Sequence, residues 1–171
     1  MIFKNGVDTI LFDLDGTLRY SSPTFHHAYL TYAFQLGAPD NTQQRWNAHR
    51  WLHYSWAQSR ELLQDQERYA GLDQEFWNNH ARRYLIALGC TPEQAAELAP
   101  RLTQSMEEGY QPEDVLAEGV IDLLTSLREA GFRLGVVSNR THSFEEQLVT
   151  LGLQPFFEIA LAAGTINAWK P

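Results

Sequence analysis

The 171-residue chain predicts an α/β protein: a small parallel sheet, interrupted after its first strand by a long helical insertion. Three observations predict it. An apolar run, Thr9-Ile10-Leu11-Phe12, leads into Asp13-Leu14-Asp15-Gly16-Thr17. From about Ser22 to Tyr110 the apolar residues recur at helical spacing. After Pro112 helical and strand patterns alternate, which indicates parallel strands joined by right-handed crossovers.

Each element follows from its own signals. Residues 9–13 read as the first strand. Phe25, Tyr29, Tyr32 and Leu36 mark a helix that stops at Gly37, and residues 42–70 read as a second, long helical stretch. Trp77, Ala81, Tyr84 and Leu88 mark a third helix, stopped at Gly89. Thr91-Pro92-Glu93-Gln94 is a start signal, with a threonine cap, proline at the first helical position and glutamine three residues on. Ala95, Leu98, Ala99, Leu102 and Met106 then give the fourth helix one apolar face. Val120, Leu123, Leu124 and Leu127 form an amphipathic helix ending at Gly131. Residues 133–137 read as a buried strand, Phe144, Leu148 and Leu151 as a helix stopped at Gly152, and residues 157–162 as a third strand.

Composition narrows the function classes. Hydrophobic residues make up 44% and charged residues 20% of the chain, the balance of a folded globular protein. No apolar run approaches the roughly 20 residues that span a bilayer, and residues 1–8 lack the succession of a signal peptide. Neither a membrane nor a secretory route is expected. The single cysteine, Cys90, excludes an internal disulfide and fits a reducing, cytoplasmic setting. A net charge of −8 argues against a nucleic-acid partner and requires any phosphate site to concentrate its own positive charge.

Two carboxylates at a strand's carboxyl end are costly to desolvate without a cation, and open α/β sheets bind ligands at those ends. The pair therefore suggests a metal-assisted site. Asp13-Leu14-Asp15-Gly16-Thr17 resembles the first motif, Asp-x-Asp-x-Thr, of the haloacid dehalogenase superfamily, most of whose members with this form are magnesium-dependent phosphatases. A carboxylate can attack a phosphoryl group and form an aspartyl-phosphate, which makes Asp13 the candidate nucleophile. Asp15 could protonate the leaving oxygen and then deprotonate the attacking water. Gly16 allows the sharp turn, and the Thr17 hydroxyl could hold a phosphoryl oxygen.

Further residues fit the resemblance. Ser138-Asn139 at the end of the second predicted strand resembles the second motif, implying substrate-binding roles for Ser138 and Asn139. Lys170-Pro171 resembles the third, in which lysine neutralises the phosphate and the nucleophile. A fixed cation and magnesium remove the repulsion between a carboxylate and a phosphate. The resemblance implies a Mg2+ site at Asp13 and Asp15, with Asp15 contributing its backbone carbonyl. The acids of the fourth motif are absent, which implies that the chain is a fragment of a longer protein.

The insertion resembles the α-helical cap of the phosphoglycolate phosphatase and β-phosphoglucomutase-like branch. That resemblance implies a Rossmann-like core over residues 1–20 and 112–171 and a cap over 21–111. Residues 45–56 hold three Trp, two His and two Arg. Trp46, His49, His53 and Trp56 are expected on one helix face, and Arg50 and His53 are the candidate contacts to a leaving group. His26, His27 and His80 lack metal-ligand spacing and read as structural or surface residues. Arg19 and Arg140 follow the strand tips in sequence, where each could reach a phosphate or point to solvent.

The expected function is a magnesium-dependent phosphoryl hydrolase of a small phosphorylated metabolite. The alternatives are a phosphomutase using the same groups, or a non-catalytic domain that retains the fold. Dehalogenation is disfavoured by Asp15, since that reaction requires no acid for an alkoxide. The sequence specifies neither the substrate nor the oligomeric state.

Overall fold

The computed structural model describes residues 6–170. Pro171, the second residue of the Lys-Pro pair, and most of the leading segment read for a signal peptide lie outside the described residues. Backbone packing divides the chain into two units, one of residues 6–22 with Glu113–Lys170, the other spanning Pro23–Pro112.

The first unit is built on a three-stranded parallel sheet. Strands β1 (Thr9–Phe12), β4 (Arg133–Ser138) and β5 (Ile159–Ala162) lie in the order β1-β4-β5, so β4 is central. Phe12 pairs with Val136, and Ser138 with Ala162. Helices α6 (Val120–Glu129) and α7 (Glu145–Thr150) form the crossovers, with a 3-10 turn at Gln154–Phe156 and a short α8 (Ala163–Ile166) after β5. The parallel α/β architecture is as the alternating pattern predicts, with small shifts in bounds. The first strand ends one residue earlier, and the third starts two residues later, at Ile159, with Phe157 and Glu158 linking it to the 3-10 turn.

A second, two-stranded antiparallel sheet was not expected. Strand β2 (Arg19–Ser22) pairs with β3 (Glu113–Leu116), Arg19 opposite Leu116 and Ser22 opposite Glu113. Each strand has four residues, both are largely polar, and their partners are far apart in sequence. No local periodicity announces such a pair.

The core of this unit gathers Leu14, Leu18, Val120, Leu124, Leu127, Phe132, Leu134, Val136, Phe144 and Leu148. Leu14 and Leu18 flank the Asp15-Gly16-Thr17 turn and are fully buried. Burying each side chain contributes roughly 1.5–3 kcal/mol, enough to pin the turn to the sheet from beneath.

The second unit is helical: α1 (Phe25–Gln35), α2 (Thr42–Trp56), α3 (Arg60–Arg68), α4 (Asp73–Ala87) and α5 (Pro92–Gly109). The predicted 42–70 stretch is two helices. Gln58 adopts a left-handed backbone at φ 57°, and the Ser59 hydroxyl accepts from the Leu62 amide to start α3, so the chain breaks between Trp56 and Arg60. The capping box at α5 forms as predicted, Thr91 accepting from the Gln94 amide and Gln94 from the Thr91 amide.

The heart of this unit is Tyr29, Ala33, Ala48, Ala81, Tyr84, Leu85, Leu88, Ala95 and Leu102. His80 is 3% exposed, ringed by Trp51, Trp56, Phe76 and Trp77 at 5.0–6.3 Å, and paired through Nδ1 with the Tyr29 hydroxyl at 3.3 Å. Trp56 therefore turns to Trp77 and His80, while Trp46, His49 and His53 share the other face of α2. The expected face of four is a face of three.

Burial, aided by the charge of Arg83, pushes the His80 pKa down from 6.5 to about 4. Above pH 6.5 the ring is neutral in both folded and unfolded chains. Between pH 6.5 and 4 the unfolded chain takes up a proton that the folded one refuses, so stability falls as pH falls. His26 is lowered to about 4 as well, so the share of His80 is read from a variant. In denaturant melts at pH 7 and pH 4.5, the acid-induced loss should be about 2–3 kcal/mol smaller for His80→Phe than for the parent. An equal loss in both proteins would show that His80 does not exclude the proton.

Candidate active site

The sheet's carboxyl edge is shaped by one carbonyl. The amides of Leu18 and Arg19 donate to the Leu14 oxygen at 3.0 and 3.1 Å, and the Gly16 amide donates to the Arg19 oxygen at 2.8 Å. This closes a tight turn that needs φ of 81° at Gly16, a left-handed value costly for a residue with a Cβ. With Leu14 and Leu18 held in the core, Asp13, Asp15 and Thr17 are left at the strand end.

Asp13 is clasped by two groups. Lys170 Nζ bonds its Oδ1, and the Thr17 hydroxyl makes a long 3.4 Å contact to its Oδ2. Lys170 is itself placed by backbone. Its Nζ donates to the Val137 carbonyl at 2.9 Å. Its amide donates to Asn139 Oδ1 at 2.8 Å, and its carbonyl accepts from Asn139 Nδ2 at 3.1 Å. Asn139 thus spends its side chain on holding Lys170 beside the strand tip.

Asp15 sits in a larger network. Arg140 grips it with two bonds, Nε to Oδ2 at 2.8 Å and Nη2 to Oδ1 at 2.7 Å. Arg19 Nη1 donates to Oδ1 at 2.6 Å, and the buried Ser138 hydroxyl donates to Oδ2 at 3.1 Å. Arg19 also pairs with Asp114, Asp114 accepts from Gln147, and Gln147 Oε1 accepts from Arg140 at 2.5 Å. The chain of contacts closes on itself: Asp15, Arg140, Gln147, Asp114, Arg19. Burial acts to raise the Asp15 pKa, but the bonds and charges of Arg140 and Arg19 outweigh it and hold the carboxyl below the usual carboxylate range. The same bond raises the Arg140 pKa.

Asp13, Asp15, Thr17, Ser138, Asn139 and Lys170 therefore meet at one sheet edge. Arg19 and Arg140 both reach Asp15. Asp114 and Gln147 escape sequence reasoning, because an acid beside Glu113 in a four-residue strand and a glutamine within a helix carry no signal. Arg50 and His53 lie in the other unit, exposed on α2, where His53 Nε2 is 3.1 Å from His49 Nε2. Among the described residues no three His, Cys, Asp or Glu side chains group to hold a metal ion, and no helix is long and apolar enough to cross a membrane.

The loop carrying Asn139 and Arg140 rests on Gly164, whose amide donates to the Arg140 carbonyl at 2.9 Å. A Cβ on Gly164 would lie 2.3 Å from the Thr141 oxygen and 2.5 Å from its Cα. Gly164→Ala should therefore push the loop away, cost about 1–3 kcal/mol and loosen the grip of Arg140 on Asp15. Thermal melts read the first effect and the chemical shift of the Asp15 carboxyl the second. Wild-type values for both would show that the loop does not depend on this contact.

Comparison with known proteins bears on the family and the fold. A family model described as haloacid dehalogenase-like hydrolase matches residues 7–171. Comparison with curated proteins finds no match. Among solved structures, a predicted phosphoglycolate phosphatase from Haemophilus somnus 129pt is 20% identical with a TM-score of 0.53; the match covers 99% of this chain and 68% of that one. The HAD-hydrolase YfnB from Bacillus subtilis, bound to magnesium, is 23% identical with a TM-score of 0.50, over 96% of this chain and 67% of its own. The chain thus spans about two thirds of the length of these structures, and at such identities they share its fold.

Proposed function

The chain belongs to the haloacid dehalogenase-like hydrolase family, and from that we propose that it hydrolyses a small phosphorylated metabolite through an aspartyl-phosphate. The observation that carries this reading is the placement of Lys170 on Asp13, two residues from a second carboxylate held by Ser138 and two arginines. A binding module for phosphate would need the cations. It would have no use for two carboxylates among them.

The donors suit Mg2+. Among the described residues Asp13 Oδ2 has only the long Thr17 contact, so a hard carboxylate oxygen is available. The Asp15 carboxylate is engaged by guanidinium groups, and the family resemblance supplies its backbone carbonyl as the second protein donor. Magnesium commonly uses one or two such donors plus water and substrate phosphate. Bound there, it would offset phosphoryl charge that otherwise repels the Asp13 carboxylate.

The residues then divide the work. An Asp13 oxygen attacks phosphorus, and the bond from phosphorus to the leaving oxygen breaks. Lys170 holds Asp13 in place and neutralises charge on the incoming group. Thr17 and Ser138 offer hydroxyls to the phosphoryl oxygens, and Asn139 keeps Lys170 in register. Asp15 protonates the leaving oxygen, then takes a proton from the water that attacks the aspartyl-phosphate and releases inorganic phosphate. In the resting arrangement Asp15 is ionised and braced. Its acid role requires that Arg140, the more exposed of its two arginines, transfer its bonds to the phosphoryl group and that Asp15 take up a proton from solvent as those bonds are released.

Two variants test the assignment. Asp13→Asn should abolish turnover with the fold intact, because an amide does not attack phosphorus. Near-normal phosphate release would remove Asp13 from that role.

Asp15→Asn should slow hydrolysis of alkyl phosphates by roughly 10²–10⁴-fold. The loss should be smaller for aryl phosphates, whose leaving groups need little protonation. Equal losses on both substrate types would exclude the acid role.

A further inference from the structure

The helical unit contains a cavity of about 190 Å³, lined by Phe25, Tyr29, Trp77, Thr103, Met106, Glu107 and Tyr110. It exceeds the roughly 150 Å³ that accommodates benzene in a dry protein interior. Four of its seven lining residues are aromatic. Phe25 lies at their centre, its ring centroid 4.6 Å from Tyr29, 6.2 Å from Trp77 and 5.8 Å from Tyr110. None of the lining residues is cationic.

Two polar features break this apolar surface. Thr103 is 4% exposed, and its hydroxyl oxygen has no hydrogen-bond partner among the described residues. A buried hydroxyl without a partner is unfavourable, and a ligand group reaching Thr103 would relieve that cost. Glu107 is exposed, lines the cavity, and forms no ion pair among the described residues.

We propose that this cavity binds an organic ammonium group, with its cation against the rings of Phe25, Tyr29, Trp77 and Tyr110 and its charge balanced by Glu107. Ring faces carry negative potential and attract ammonium groups, most strongly when water is excluded. An aromatic cage with one carboxylate and no resident cation has the electrostatics that such a group requires. A neutral apolar ligand would fill the same space but would leave Glu107 without a role. A hydroxyl or N–H on the ligand completes Thr103. The site lies wholly in the helical unit, and its occupancy is a matter of binding, so it stands or falls independently of phosphoryl transfer.

The probe pair is choline and its neutral isostere 3,3-dimethylbutan-1-ol, which match in shape and hydroxyl position. Titration of the full chain is followed by calorimetry and by tryptophan fluorescence. Choline should bind measurably tighter than the neutral alcohol. Glu107→Gln, a surface change that does not threaten the fold, should narrow that difference. Trp77→Leu should weaken choline by about 2- to 30-fold, the range of one cation–π contact, and Trp77→Phe should restore part of the loss. Equal binding of the two probes would overturn the ammonium assignment, as would an unchanged preference in Glu107→Gln. Binding of neither probe would overturn the site itself.

Discussion

The Asp15 carboxylate, caught between Arg19 and Arg140, is the constraint on which the candidate site depends. It receives four bonds from three side chains. Those side chains come from the start of β2, the end of β4 and the loop beyond it. Through Asp114 and Gln147 the same network includes β3 and α7. Two guanidinium groups and two carboxylates balance in charge, which allows them to gather at one sheet edge without the cost of an unpaired ion. The small antiparallel sheet of β2 and β3 delivers Arg19 and Asp114 to that edge.

A second clasp holds the nucleophile candidate. Lys170 is fixed by Asn139 through its own backbone and by the Val137 carbonyl through its ammonium. A lysine is a flexible point charge, and backbone anchors of this kind determine where it points. Asp13 is thereby neutralised by one cation and Asp15 by two. The three cations Arg19, Arg140 and Lys170 match the three carboxylates Asp13, Asp15 and Asp114, so in a chain of net charge −8 the strand tips are locally neutral. Arg140 is the mobile part of that arrangement on the proposed reading, because a phosphoryl group offers its guanidinium the same bidentate geometry as the carboxylate it grips.

The helical unit uses different physics. His80 and Tyr29 form a buried polar pair inside a shell of tryptophan and phenylalanine, and burial keeps the imidazole neutral. The aromatic wealth of residues 45–56 is split by helix geometry: Trp51 and the partly exposed Trp56 pack on His80, while Trp46, His49 and His53 share another face, where His49 meets His26. The aromatic cavity beside Thr103 draws on α1, α4 and α5 together, so it belongs to no single helix.

The sequence by itself determined the alternation of strand and helix, the helical insertion, and the residues at the strand tips. Those features are local: apolar periodicity, the Asp13-Leu14-Asp15-Gly16-Thr17 turn, the capping box at Thr91, and Ser138 and Lys170 at their places after strands. Only the tertiary structure decided the partners. Arg19 and Arg140 fell on Asp15, Asp114 and Gln147 closed the ring, Asn139 went to Lys170, and β2 found β3. Apart from Arg19 and Asp15, which are four residues apart, each joins residues distant in sequence by charge or hydrogen bonding, and such pairings leave no periodic trace. The break at Gln58 lay hidden for a related reason, because a left-handed residue held by its surroundings looks like any other polar residue within a helical run.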